Sequence, residues 1–347
     1  MRNTKMGSRG LASLTALIAM LTLAACGGGS DAADGSTKMT IVSLPGEVYV
    51  LEEVALDQGF YEDNGLDVEL IAPQNGASGA RQLLLGGSVQ GWPGNPATVM
   101  QDSAKNFDVA LVAMIKDWIP FQLQVRADSD LADVEGDYLD KIRALKGKVI
   151  GLTGLGSLPQ QIVETALGEA GLTPSDVTFV GVGLDQAGIA SLQNDRIDAY
   201  FTFSYLSADA VQSQADAVKY LGLADADAPP TMQTFSTWTL AASGDFAEKE
   251  PQAVEGWAAA IREAYEWTKT NPEKAAQIVA DKNFKGENVE ELTEWIQMLT
   301  SGEQSPDLTV DPETLQSEID ALRGAGALPP EDTGLLYEDL VPEFARQ

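Results

Sequence analysis

The chain has 347 residues, with 22 basic and 52 acidic side chains, no histidine and one cysteine, for a formal net charge of −30. That acidity argues against a nucleic-acid partner and against electrostatic adhesion to anionic lipid; otherwise it describes a well-solvated surface. A lone cysteine leaves no intramolecular disulfide and no cysteine metal cluster, and without histidine there is no cysteine–histidine nucleophile.

In chain order, Arg2, Lys5 and Arg9 come first, then an apolar run from Leu11 to Leu23, then Ala24 and Ala25. This is the three-part plan of a secretory signal. About a dozen apolar residues are too few to span a bilayer, and no later segment approaches the roughly 20 that a spanning helix needs. Leu23-Ala24-Ala25-Cys26 resembles the lipobox of bacterial lipoproteins. The resemblance implies a signal peptide over residues 1–25 and a lipid on Cys26 as the first mature residue. Gly27, Gly28, Gly29, Ser30 and the polar run to Thr37 cannot bury a core, so residues 26–37 read as a flexible tether. Loss of the signal removes three of the 22 basic residues and no acidic one, giving 19 − 52 = −33.

About 310 residues remain, more than most single domains hold, so two lobes are expected. Met39–Ser43, Val68–Ile71, Val109–Met114, Gln122–Arg126, Val149–Leu152, Val177–Val180, Ala199–Phe203 and Trp238–Ala241 read as strands. Between them, Val50–Gln58, Ala77–Leu85, Ala97–Ser103, Leu158–Ala170, Gln186–Gln193 and Leu206–Gln214 read as helices, several stopped by glycine, as at Gly59, Gly86 and Gly171. Such alternation predicts an α/β fold with two small, largely parallel sheets. No internal repeat is visible in the sequence.

From Pro251 onward the chain is helical. Val254, Trp257, Ala258, Ile261, Tyr265 and Thr268 recur at three- and four-residue spacings, the signature of a face packed into the core. Asn271-Pro272-Glu273 and Asp311-Pro312-Glu313 each offer a capping side chain, a proline at the first helical position and an acid near the positive helix end.

Several segments together resemble a known family. They are Gln58-Gly59-Phe60-Tyr61-Glu62-Asp63-Asn64-Gly65-Leu66-Asp67-Val68, Leu84-Leu85-Gly86-Gly87-Ser88-Val89-Gln90, Leu145-Lys146-Gly147-Lys148-Val149-Ile150-Gly151, Gly171-Leu172-Thr173-Pro174-Ser175-Asp176-Val177 and Asp195-Arg196-Ile197-Asp198-Ala199. In this order they resemble substrate-binding proteins of ABC importers, in the branch that includes sulfonate, taurine, nitrate and thiamine-precursor binding proteins. An aspartate is usual in that branch where Gln90 stands. The resemblance implies a type II-like periplasmic binding protein, two α/β lobes joined by two crossovers that close on ligand like a hinge. On that likeness residues 38–121 and 237–347 form the first lobe and 122–236 the second.

Ligands in open α/β sheets collect beyond the carboxyl ends of strands and at helix N-termini, so the loops after the strands hold the candidate site. Tyr49 follows the Pro45-Gly46 turn; it is a ligand contact or a packing aromatic. Trp92 and Asn95 lie just before a helix, which Asn95 could equally cap. Trp118 precedes the first crossover, where it lines the cleft or wedges the hinge. Ser157 opens a helix whose amides suit an anion or a polar ligand edge, with ordinary capping as the alternative. Phe203-Ser204-Tyr205 stands where the family commonly has an aromatic, an acid, a proline and an aromatic; here acid and proline are missing. Trp238 sits at the second crossover.

The ligand-binding set is thus Tyr49, Trp92, Asn95, Trp118, Ser157, Tyr205 and Trp238, with Cys26 as the lipidation site. Its aromatics suit a flat, partly apolar organic molecule. Arg126 lies on a strand, Arg143 before the Lys146-Gly147-Lys148 turn, and Arg81 and Arg196 inside or after helices, so no basic clamp for a strong anion is evident. An organic ligand therefore ranks above nitrate or bicarbonate, with sulfonates still in range. Related folds resemble a thiamine-pyrimidine synthase and a desulfinase, whose chemistry uses histidine or cysteine; neither is available here. No Gly-x-Ser-x-Gly nucleophile elbow occurs either. The expected function is that of an extracytoplasmic, lipid-anchored binding protein. It would be a monomer without enzyme activity, cofactor or metal, and would deliver a small organic ligand to an ABC permease and its ATPase. A ligand-sensing lipoprotein without a transporter stays open.

Overall fold

The computed structural model describes residues 35–73, 76–115, 121–222, 228, 236, 238–300, 308–324, 326–329 and 335–346; for Ala77, Ile115 and Tyr205 only the backbone is described. The first half runs β1 (Thr37–Val42), α1 (Val50–Asp57), α2 (Phe60–Asp63), β2 (Leu66–Ile71), α3 (Gly76–Leu85), β3 (Gly91–Gly94), α4 (Pro96–Ser103) and β4 (Val109–Ile115). There follow β5 (Gln122–Arg126), α5 (Tyr138–Ala144), β6 (Val149–Leu152), α6 (Leu158–Glu169), β7 (Thr178–Gly181), α7 (Asp185–Gln193), β8 (Ala199–Thr202), α8 (Tyr205–Ala215) and β9 (Ala217–Gly222). Then come β10 (Trp238–Ser243), α9 (Gly244–Lys249), α10 (Pro251–Thr270), α11 (Pro272–Asn283), α12 (Val289–Thr300), α13 (Pro312–Gly324) and α14 (Tyr337–Leu340). Among the described residues no helix is long and apolar enough to cross a membrane.

The strands form two five-stranded sheets, ordered β2-β1-β3-β10-β4 and β7-β6-β8-β5-β9. The expectation of largely parallel sheets is corrected here. β1 runs parallel to β2 and β3, and β6 to β7 and β8, but β10 is antiparallel to β3 and β4, and β5 to β8 and β9. The reversed strand in each sheet is the one that arrives from the other sheet. It enters without a βαβ crossover of its own and slots between two strands that are parallel to each other. The two sheets therefore repeat one topology that the sequence does not show as a repeat.

Two strands lie outside the sequence expectation. Gly91–Gly94, read as a loop, is β3, with Trp92 opposite Ala241 and Pro93 opposite Leu240 on β10. Only Ile41 and Gly91 pair β1 with β3, so the missing amide of Pro93 interrupts no ladder on that side. Ala217–Gly222, not assigned from sequence, is β9, paired with β5.

Burial alternates along the central strands. On β10, Leu240 and Ala242 join one hydrophobic cluster and Ala241 the other, so the first sheet is covered on both faces. The cluster that holds Ala241 continues into the second sheet through Leu123, Ile150 and Phe201, and takes in Leu315, Ile319 and Leu322 of α13. That helix packs on both α4 and α6, and its Glu318 accepts the Ser236 amide of the second crossover at 2.7 Å. The expected face of α10 is buried as predicted, with Trp257 fully enclosed. Gly59 and Gly171 stop their helices at φ 78° and 76°, where glycine alone is unstrained. Asp311 caps α13 through the Thr314 amide at 2.7 Å. Asn271 does not cap α11; its amide turns back to the Trp267 carbonyl at 3.0 Å and so closes α10 instead.

Candidate functional site

The loop after β1 leaves the sheet at Ser43 and reverses at Gly46, whose φ of 135° admits no side chain without strain. A single 3-10 turn over Glu47–Tyr49 then leads into α1. Tyr49 is buried and meets Trp238 edge-on, with ring centroids 6.5 Å apart and planes at 73°. Burial raises the pKa of the Tyr49 hydroxyl, the charge of Glu52 adds to this, and the Trp92 indole opposes it. That indole closes no hydrogen bond of good geometry, so Trp92 Nε1 remains buried without a partner. The Trp92 ring lies across Gly94, where a Cβ would come within 2.8 Å of it. Three of the predicted residues, Tyr49, Trp92 and Trp238, therefore meet at one edge of the first sheet.

Asn95 stands just beyond them as the N-cap of α4, its Oδ1 accepting the Thr98 amide at 2.8 Å, with Pro96 in the first helical position. Asn95→Ala is expected to cost about 1 kcal/mol of unfolding free energy in urea titration, and Asn95→Asp to retain most of it. Equal losses in the two variants would remove the cap as the reason.

On the second sheet, Ser157 has the backbone geometry of an N-cap for α6, but its hydroxyl does not cap; Oγ is buried without a partner. Gln160 reaches back to the Gly156 amide at 2.8 Å. The same loop faces the first half of the chain, since a Cβ on Gly154 would lie 3.3 Å from Ser78 Oγ on α3. Ser204, fully buried, caps α8 by accepting the Ser207 amide at 3.1 Å. Ser207 Oγ in turn donates to Asp185 Oδ1 at 2.5 Å. Tyr205 is the first residue of α8. Its side chain, Trp118 and Cys26 lie outside the described residues.

Glu47 and Asp185 carry no sequence signal beyond Glu47's place between the Pro45-Gly46 turn and Tyr49. Glu47 is 3% exposed and its Oε1 has no partner. Burial raises its pKa, opposed by the Ser204 hydroxyl and its own amide, reinforced by the charge of Asp185 and relieved slightly by the Leu206 amide. The Asp185 carboxyl is also raised by burial, against its bonds from Ser207 and its own amide. Leu206 packs against the hydrophobic cluster of the first sheet, so the opening turn of α8 abuts the β1 loop. Ser43 Oγ, Glu47 Oε1, Trp92 Nε1 and Ser157 Oγ are thus buried polar atoms without partners, all on or just after strands β1, β3 and β6. Such atoms are uncommon in folded chains and ask for an explanation; others, among them Tyr61 Oη, Trp257 Nε1 and both polar atoms of Gln161, lie inside the helical packing, so it is the grouping of these four near Tyr49 and Trp238 that marks the place. Among the described residues no group of three or more histidine, cysteine or acidic side chains could hold a metal.

The sequence matches the family model described as NMT1/THI5 like over residues 52–275. The formylaminopyrimidine-binding protein of Halalkalibacterium halodurans is 23% identical over 274 residues, 77% of each chain. The solved alkanesulfonate-binding protein SsuA of Xanthomonas axonopodis pv. citri, bound to MOPS, is 13% identical with a TM-score of 0.66, over 84% of this chain and 94% of that one. The desulfurization enzyme DSZB is 15% identical with a TM-score of 0.59, over 89% and 97%. At these identities the solved structures show a shared fold, one that carries both binding proteins and an enzyme.

Proposed function

Because the chain belongs to the NMT1/THI5-like family, we propose that it is an extracytoplasmic substrate-binding lipoprotein of an ABC importer, trapping a small organic molecule between two lobes and handing it to a permease. The observation that carries this reading is the convergence of Tyr49, Trp92 and Trp238 with unpartnered polar atoms at the edge where the loops of both sheets meet. In it, residues 38–121 with 237–347 and residues 122–236 act as the lobes. The crossovers between β4 and β5 and between β9 and β10 act as the hinge. Closure brings the starts of α6 and α8 onto the ligand, and the closed form is what the permease meets. The lipid on Cys26 and the following glycines keep the body near the membrane. Without histidine, and with its one cysteine committed to the anchor, the chain holds and releases its ligand unchanged.

Mass spectrometry of small molecules released from the purified protein tests the reading. It should yield an organic compound that, added back, raises the melting temperature, by an amount equal to about 2.7 kcal/mol when present at 100 times its Kd. Trp238→Ala should weaken that compound's binding while leaving the fold intact by circular dichroism. A thermal-shift screen of sulfonates, pyrimidines, flavins and aromatic acids that moves nothing, with no compound released, would refute it.

A further inference from the structure

The buried face of α13 includes an acid. Glu318 is fully enclosed and shares that face with Leu315, Ile319 and Leu322. A carboxyl in such a place is costly unless a donor meets it. One donor comes from 82 residues away in the chain: the Ser236 amide, 2.7 Å from Oε1. Ser236 is buried too and precedes β10, so its N–H lies outside the strand ladder and needs an acceptor from elsewhere. Two residues on, Trp238 opens β10 opposite Ile115, the last residue of β4, and its ring meets Tyr49 edge-on. In the second sheet Gln122, which opens β5, pairs with Gly222, which ends β9, so the two crossovers run out side by side at both sheets. α13 also packs on α4, which starts at the Asn95 cap, and on α6, which starts just after Ser157. One helix thus touches a site-bearing element of each sheet and, through Glu318, the approach to the strand that carries Trp238.

We propose that Glu318 is a positioning residue of the candidate site: by holding the Ser236 amide it fixes where β10 begins and so seats the Trp238 ring against Tyr49. Its part in ligand binding rests on the reading of the chain as a ligand-binding protein, since Trp238 is the ring it places. Glu318 acts through the backbone of the second crossover. An apolar residue at 318 would suit the packed face but would leave the buried Ser236 N–H without its acceptor, and the backbone would shift to find another. Two residues separate that amide from Trp238, so the shift reaches the ring. Glutamine keeps an acceptor oxygen at the same reach.

NMR of the purified full chain, labelled at tyrosine and tryptophan, reads the two rings directly, with their signals assigned through Trp238→Phe and Tyr49→Phe. Glu318→Met should move or broaden the Trp238 indole N–H signal by more than its linewidth and abolish the Tyr49–Trp238 cross-peaks. Trp257 and Trp295, in the hydrophobic cluster that α13 does not join, should keep their signals. Glu318→Gln should hold the cross-peaks closer to wild type than to Glu318→Met, whereas a side chain wanted for packing alone would be served better by methionine. Should Glu318→Met fail to fold, Glu318→Asp, one methylene short of the amide, should weaken the cross-peaks without abolishing them. Trp238 signals that stay unchanged in Glu318→Met, or in Glu318→Asp where methionine does not fold, overturn the inference. So does equal loss in Glu318→Gln, or movement of Trp257 and Trp295 along with Trp238. No ligand enters these measurements, so a negative result leaves the ligand-trap reading standing, and that reading falls only on its own screen.

Discussion

Arg81→Met is expected to lower the unfolding free energy by about 3 kcal/mol. Arg81 on α3 grips Asp102 on α4 with two nitrogens, Nε to Oδ2 at 2.7 Å and Nη2 to Oδ1. Asp102 is 3% exposed, so removing the cation strands a carboxylate in a nearly dry site. A surface pair would be worth a few tenths to 1 kcal/mol, and the difference lies in that burial. Arg81 is itself one-third exposed, which lets water reach the gap and holds the cost near the lower end of the range for broken buried pairs. Methionine keeps most of the packing of the stem, so the loss is electrostatic. The double variant Arg81→Met with Asp102→Leu should recover most of the stability, because no unpaired charge remains. Urea titration of the three proteins decides it. A single variant within 0.5 kcal/mol of wild type would show that the pair behaves as an exposed one. The contact matters to the site because α4 carries Asn95 and follows directly on Trp92.

How far the sequence discloses this arrangement depends on where each element gets its stability. Gln122–Arg126 and Val149–Leu152 are strands to the residue as expected, because the alternating Leu123 and Val125, and Ile150 and Leu152, are β-prone or apolar side chains at buried positions. β3 could not be seen that way. Gly-Trp-Pro-Gly has little strand propensity, and it is extended because β10 lies beside it. The repeated topology of the two sheets is hidden for a similar reason: it consists of pairings between distant segments, and the strand that completes each sheet comes from the other one.

The same division runs through the site. Tyr49, Trp92 and Trp238 could be named from sequence because each follows or begins a strand, and strand ends are where ligands collect. Their meeting in one group needed the pairing of β3 with β10. Glu47 was hidden, since in sequence it is one acid among 52 and its meaning comes from Ser204, Leu206 and Asp185 across the chain. The missing family acid before Tyr205 was visible as an absence. That a carboxyl from the β1 loop is directed at the same turn was not. Asn271 shows the limit of cap signals: asparagine can serve the helix before it or the helix after it, and here the earlier helix wins.

Glu52→Gln is expected to make the protein more stable at neutral pH and to flatten its pH dependence. Glu52, in the first turn of α1, is fully buried and neither carboxyl oxygen has a partner. Burial raises its pKa well above that of an ordinary carboxyl, its own amide opposes this and Glu53 adds to it. Its charge would also stand near the hydroxyls of Tyr49 and Tyr61, both of which are pushed up by burial and then by Glu52. The folded chain therefore holds a proton on Glu52 that the unfolded chain releases near pH 4.5. Where the native state binds the extra proton, stability falls as pH rises, starting at the unfolded value and ending once the folded value is passed. Over that window the variant should gain on wild type by up to about 1.4 kcal/mol per pH unit. Glu53, raised by burial against its bond from Asn283, slopes the same way and persists in the variant. Asp176 works in the opposite sense and lower down: Lys146 first, then Thr173, hold it to about 2, so its contribution is present above about pH 4 and lost on acidification below that. Urea titrations at pH 5 and pH 8 should show wild type losing stability between the two and Glu52→Gln losing less. Parallel behaviour of the two proteins would mean that Glu52 is ionised throughout, with a partner other than the described side chains.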